Sequence, residues 1–142
     1  MKLDHAVTQK YIDQLTYRIV GAAIEVHRNV GPGLLESVYH RFLMHEFSLR
    51  GIDYKSELIV PVSYKGIDLE TDLRCDFFVN HLIAFEIKSV ESLAPVFEAQ
   101  ILTYMKLLNA PKGILINFNS VNIFREGQRT YVNELYRDLP FG

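Results

Sequence analysis

The chain reads as an α/β protein with a central mixed β-sheet flanked by α-helices. Three observations lead there: two stretches with helical spacing come first, a strand meander follows, and a third helix precedes another apolar strand. Strand–helix units do not repeat in strict alternation, which separates this order from a doubly wound fold.

Residues from about Thr8 to Arg28 predict the first helix, because Leu15, Ile19, Ala22 and Val26 recur at spacings of four, three and four. Gly31-Pro32-Gly33 breaks it. A second helix is expected from about Leu34 to Arg50, burying Leu35, Val38, Phe42 and Leu49, with Gly51 as its stop. Leu58 to Tyr64 reads as one strand, and its Pro61 places it at an edge or a bulge. Lys65-Gly66 reads as a turn into Ile67-Asp68-Leu69. Arg74 to Val79 and Leu82 to Lys88 follow as apolar strands. Pro95 opens a third helix that reaches about Asn109 and stops before Pro111. Ile114 to Phe118, Val121 to Phe124 and Tyr131-Val132 are read as the last strands.

At 142 residues the chain fits a single domain spanning 1–142, with no repeat or linker to divide it. Hydrophobic residues make up 49%, which excludes a disordered tail. A formal charge of −2 excludes a strongly basic nucleic-acid coat, yet allows a locally positive groove. The lone Cys75 cannot form an internal disulfide, and Met1 to His5 contains no apolar signal core. No stretch approaches the ~18 apolar residues of a membrane span. A cytoplasmic protein with no membrane role is the expectation.

One strand carries the chemistry. In Leu82-Ile83-Ala84-Phe85-Glu86-Ile87-Lys88, alternation puts Glu86 and Lys88 on one face and Ile83, Phe85 and Ile87 on the other. A buried carboxylate costs several kcal/mol or more unless a partner or a metal offsets it. Arg74-Cys75-Asp76-Phe77-Phe78-Val79, just upstream, brings a second acid. Asp, a turn, then Glu-x-Lys is the pattern of a metal-dependent phosphodiesterase site. Asp76 and Glu86 would hold Mg²⁺ (Mn²⁺ as substitute), with the Ile87 carbonyl completing the shell. Lys88 would orient a water or stabilise developing charge. The plainer alternative is a solvated Glu86–Lys88 pair at a strand end.

The site carries a geometric condition. A strict two-residue hairpin at Asn80-His81 would pair Asp76 with Phe85 and aim Asp76 away from Glu86. A shared site therefore requires an odd-length connection or a bulge, for instance one pairing Asp76 with Glu86. On the third helix, Val96, Gln100, Thr103, Tyr104 and Leu107 form one stripe, so Gln100 would sit on an apolar face and seek partners at the strand's end. A core-edge glutamine bonded to backbone is the alternative. Gly31-Pro32-Gly33 opens the second helix, where unpaired amides suit an anion, although Glu36 there also simply complements the helix dipole. Tyr39 fits a core position better than a catalytic one, and His27 fits a cation near a helix end.

Gly31, Glu36 and Tyr39 have the spacing for which the GxxxxExxY proteins are named, and the chain resembles that bacterial group of the PD-(D/E)XK nuclease superfamily. The likeness runs from about Ile19 to Val132. It rests on Gly21 to His27, Gly31 to Tyr39, Asp76, Glu86-Ile87-Lys88, Ala99-Gln100 with Tyr104, and Gly113 to Phe118. It implies a restriction-endonuclease-like fold, Mg²⁺ held by Asp76 and Glu86 with a further contact from Glu36, and catalytic assistance by Lys88. Gln100 and Tyr104 would support the site or contact substrate, beside Tyr39. Two positions depart from the pattern: Cys75 where the superfamily label suggests proline, and Phe97 where a polar residue, often histidine, is usual.

The leading expectation is thus a Mg²⁺-dependent nuclease acting on phosphodiester bonds of DNA, with Lys88, Lys106, Arg125 and Arg129 as candidate phosphate contacts. Specificity would have to come from a partner or from DNA structure, since no sequence-reading appendage is visible, and a homodimer or an unidentified protein partner is the expectation. The alternative is a non-catalytic nuclease-fold subunit or nucleic-acid-binding module. A phosphate-ligand protein built on Gly31-Pro32-Gly33 ranks lower, because the P-loop lysine pattern is missing.

Overall fold

A computed structural model describes residues 7–142; the Met1–His5 segment read above for a signal core lies outside them. Helix α1 (Gln9–Val30) begins where the Thr8 hydroxyl accepts the Tyr11 N–H at 3.0 Å. It ends at Gly31, whose φ of 72° few other residues adopt and whose N–H donates to His27 O at 2.7 Å. Helix α2 (Glu36–Arg50) stops at Gly51 in the left-handed conformation, as expected. Strands β1 (Tyr54–Ile59), β4 (Arg74–Val79), β5 (Ile83–Lys88), β6 (Lys112–Asn117) and β7 (Gln128–Val132) form one sheet in the order β1-β4-β5-β6-β7. Strands β2 (Val62–Tyr64) and β3 (Ile67–Leu69) make a separate hairpin. Lys65 and Gly66, at φ 47° and 87°, form its turn.

Among the described residues only β5 and β6 run parallel, joined by helix α3 (Pro95–Leu108), and every other strand pair is antiparallel. This is the mixed sheet expected of a restriction-endonuclease-like fold. A short helix α4 (Glu134–Arg137) follows β7.

The sheet divides the core in two. Phe77, Ile83, Phe85, Ile87, Ile114 and Ile116 face Ile12, Leu15 and Ile19 of α1 and Leu43 and Phe47 of α2. Cys75, Phe78 and Ala84 face Ile101, Tyr104 and Met105 of α3. The central strands are buried on both faces, which is why their sequences are nearly unbroken apolar runs.

Four sequence expectations are corrected. The buried stripe of α2 is Tyr39, Leu43 and Phe47, whereas Leu35, Phe42 and Leu49 are exposed. Tyr39 sets that register: its ring stacks on Phe118 at 4.5 Å, and its hydroxyl accepts the Leu34 N–H at 3.1 Å while donating to Gly31 O at 2.6 Å. A tyrosine can occupy a core position when its hydroxyl is satisfied in this way. On α3 the buried residues are Ile101, Tyr104 and Met105, while Val96 and Thr103 are exposed. Gly113 admits Ile101 and Met105 at close range, since an added Cβ would lie 3.1 Å from Ile101 Cγ1. The Leu58–Tyr64 strand is divided at Val60-Pro61, where Val60 N–H turns to Leu73 O (2.9 Å) and proline can give no ladder bond. Val121–Phe124 is not a strand; a π-helical turn spans Ile123–Gly127, with Asn122 Oδ1 accepting the Arg125 N–H at its start.

Tyr39→Phe should cost ~1–2 kcal/mol of unfolding free energy by stranding Gly31 O and Leu34 N–H, whereas Leu49→Ala should cost under ~0.5 kcal/mol. Urea denaturation of the two variants checks both, and equal losses would contradict the α2 face described here.

Candidate active site

The β4–β5 ladder pairs Val79 with Ile83, Phe78 with Ala84 and Phe77 with Phe85. Three residues therefore connect the strands, Asn80-His81-Leu82, with Asn80 and His81 left-handed at φ 51° and 56°. Continuing the register brings Asp76 opposite Glu86, so the irregular connection required by a shared site is present. Backbone pairing stops there and side chains take over. The Asp76 N–H donates to Glu86 Oε2 at 2.5 Å, and the Ile87 N–H donates to Asp76 Oδ2 at 2.8 Å. Each carboxylate thus fills a ladder position vacated by the other strand, and the two acids are locked together at the splayed end of the pair.

In a strand the N–H and C=O of one residue point to the same side. The Ile87 carbonyl accordingly faces the gap next to Asp76, because its N–H does. Glu36, at the start of α2, lies near enough to Lys88 and Asp76 for their charges to act on it. Tyr104, from α3 on the other side, senses Glu86, Cys75 and Asp76. The structure therefore gathers Asp76, Glu86, Ile87, Lys88, Glu36 and Tyr104. Tyr39 is fully buried with its hydroxyl committed to the Gly31–Leu34 loop, so it holds the mouth of α2 in place. The Ser89 hydroxyl donates to Leu34 O at 2.6 Å and ties that loop to the end of β5. Gln100 is half-buried and makes no direct side-chain hydrogen bond among the described residues.

Electrostatics follow from burial. Glu86 is 4% exposed; loss of water, then the adjacent Asp76 charge, pushes its carboxyl up to about 8. Asp76 is also raised by burial, against the pull of the Ile87 N–H and the Lys88 charge. Glu36 is raised by burial, and His40 is lowered by it. Burial, then the Glu86 charge, lifts the Tyr104 phenol to about 12. The thiol of Cys75, beneath the acids, is likewise driven up by burial and is inert core.

His40, Arg41 and Glu57 escaped the sequence reading. Glu36, His40, Arg41, Ser56, Glu57 and Asp76 line a cleft of about 550 Å³. His40 Nε2 lies 2.7 Å from Ser56 Oγ, and its ring stacks on Phe77 at 4.2 Å. Its i+4 spacing from Glu36 was a legible signal. Glu57, at φ 50°, interrupts the β1–β4 pairing opposite Asp76; nothing in a single sequence marks that conformation. Of the basic residues singled out, Arg129 is engaged with Glu98 at 2.8 Å; the basic residue that lines the cleft is Arg41, which was not among them. A larger concavity of about 830 Å³ along α1, between Tyr17 and Phe141, shares no residue with this cleft.

The donor chemistry fits a hard divalent cation. Every candidate ligand is an oxygen, burial raises both locked carboxyls, and positive charge added beside them would favour their ionised forms. Among the described residues no three His, Cys, Asp or Glu side chains form a ready-made cage. One or two carboxylates with retained waters is the shell Mg²⁺ commonly keeps.

A mixed sheet whose central strands end in two joined carboxylates and a lysine defines an α/β protein of restriction-endonuclease-like fold. Residues 13–130 match the family model of the PD-(D/E)XK nuclease superfamily, and the chain belongs to that superfamily. The matched span includes every residue of the cleft. No curated protein and no solved structure matches the chain. No described helix is long and apolar enough to cross a membrane.

The raised carboxyl of Glu86 fixes a pH dependence. Between its ordinary value of 4.5 and about 8 the folded chain holds a proton that the unfolded chain releases, so stability falls as pH rises through that window. Thermal unfolding without divalent cations should show this decline, and Glu86→Gln should flatten it. An unchanged slope in the variant would contradict the assignment.

Proposed function

We propose that this chain is a nuclease of the GxxxxExxY type, a single PD-(D/E)XK-like domain that uses Mg²⁺, or Mn²⁺ in its place, to hydrolyse phosphodiester bonds of DNA in a reducing cytoplasm. The observation that carries the reading is the reciprocal locking of Asp76 and Glu86, with Lys88 on the Glu86 face of β5, in a member of a nuclease superfamily. Asp76 and Glu86, Glu36 from α2 and the Ile87 carbonyl would hold the cation. When bound, Mg²⁺ supplies a polarised water and relief of charge on the reacting phosphate.

The chain's own groups have distinct tasks. Asp76 and Glu86 fix each other through backbone amides, so neither rotates freely and the geometry is set before substrate arrives. Lys88 offers an ammonium to the water or to a phosphate oxygen. Tyr104 closes the α3 side of the acids, and Gln100 one turn before it is placed to meet substrate. Tyr39 anchors the loop that presents Glu36. Arg41, with Lys106 and Arg125, is a candidate for phosphate contact. Partners beyond DNA, a second copy or another protein, would add sequence or structure selectivity.

Cleavage of single-stranded, duplex and branched DNA, with RNA as comparison, in Mg²⁺ or Mn²⁺ tests the reading. The native protein should cut, and the Glu86→Ala, Lys88→Ala double variant should lose at least ~10²–10³-fold in rate. Equal rates from both would leave a nuclease fold that serves as a binding subunit.

A further inference from the structure

Lys88 is the last residue of β5, and its backbone is held to the end: Lys88 O accepts the Phe118 N–H at 2.8 Å. What remains free is a four-carbon stem carrying an ammonium. Its charge acts on three carboxylates, Asp76, Glu86 and Glu36. Among the described residues, however, Lys88 forms no ion pair with any of them. Its Nζ instead lies 4.8 Å from the centroid of the Phe97 ring. That distance is within the range at which the negative face of an aromatic ring attracts a cation.

Phe97 is well placed for such a hold. It belongs to the first turn of α3, where Pro95 sets the entry and the Phe97 N–H donates to Ala94 O at 3.0 Å. It is half-buried, so the ring has limited freedom, whereas the neighbouring Val96 is 65% exposed. Glu86 and Lys88 share the face of β5 that α3 covers. The helix start therefore presents a ring over the side chain that most needs restraint.

We propose that Phe97 is a positioning residue for Lys88, its ring holding the ammonium at the rim of the site instead of letting it collapse onto the Asp76 and Glu86 carboxylates. The inference rests on the nuclease reading of Lys88 above. Two consequences follow for the reaction. The carboxylate oxygens not used by backbone amides stay open to a cation, and the ammonium is already placed when a phosphate enters. Losing the ring should cost rate rather than affinity, because the ammonium must then be recovered from an ion pair in each turnover.

The test compares Phe97→Leu, which retains apolar bulk without a π face, with Phe97→Tyr, which retains the face. Under saturating Mg²⁺, Phe97→Leu should lower kcat for DNA cleavage about tenfold with KM little changed, and Phe97→Tyr should restore kcat to within about twofold. In protein labelled at lysine Cε, the Lys88 methylene, assigned by its disappearance in Lys88→Arg, should show an upfield ring-current shift. That shift should be lost in Phe97→Leu and kept in Phe97→Tyr. A Lys88 signal at the random-coil position in the native protein, or equal kcat for the Leu and Tyr variants, would overturn the proposal. A native protein that shows the shift but cuts no DNA would overturn the catalytic role and the nuclease reading while leaving the contact standing.

Discussion

The structure of the site depends on one exchange between side chain and backbone at the end of β4–β5. Where a regular ladder would continue, the Glu86 carboxylate accepts the Asp76 N–H and the Asp76 carboxylate accepts the Ile87 N–H. These bonds from backbone amides to carboxyl oxygens do two jobs. They satisfy amides that the splaying strands would otherwise orphan, and they hold two acids together that repulsion would separate. A three-residue connection with two left-handed residues makes the register possible.

The rest of the fold positions this exchange. The apolar faces of β5 and β6 are clamped between α1 and α2 on one side and α3 on the other, so the strand that carries Glu86 and Lys88 has little freedom. Tyr39 and Ser89 fasten the Gly31–Leu34 loop to its own helix and to β5, which delivers Glu36 to the same rim. Burial then sets the electrostatics. A carboxyl lifted to about 8 beside another raised acid is a poorly compensated site on its own, and a divalent cation is the partner that matches its charge and its oxygen donors. Stability is given up locally where function would use it.

Much of this was legible because it follows from periodicity. Leu15, Ile19, Ala22 and Val26 lie on the buried face of α1, and the Glu86/Lys88 alternation gave the face of β5 directly. The need for an irregular β4–β5 connection followed from the period of two alone. What failed was the choice between neighbouring stripes. On α2, counting apolar residues favoured Leu35, Phe42 and Leu49, but the satisfied hydroxyl of Tyr39 and the rings of Phe118 and Phe77 decided the register. On α3, the close approach allowed by Gly113 turned the helix toward Ile101 and Met105. The cleft's Glu57 was hidden for another reason: its left-handed backbone is imposed by the interrupted β1–β4 pairing, a tertiary feature. Phe97 departs from the family pattern in sequence, and only the fold brings its ring against Lys88.

The most direct measurement is Mn²⁺ binding to the native protein, followed by electron paramagnetic resonance of the free ion at pH 7.5, beside Asp76→Asn and Glu86→Gln. The account predicts saturable binding by the native chain, and at least tenfold weaker binding in each variant, because each loses one anionic ligand from the locked pair. Binding that is unchanged in both variants would place any cation elsewhere and contradict the site described here.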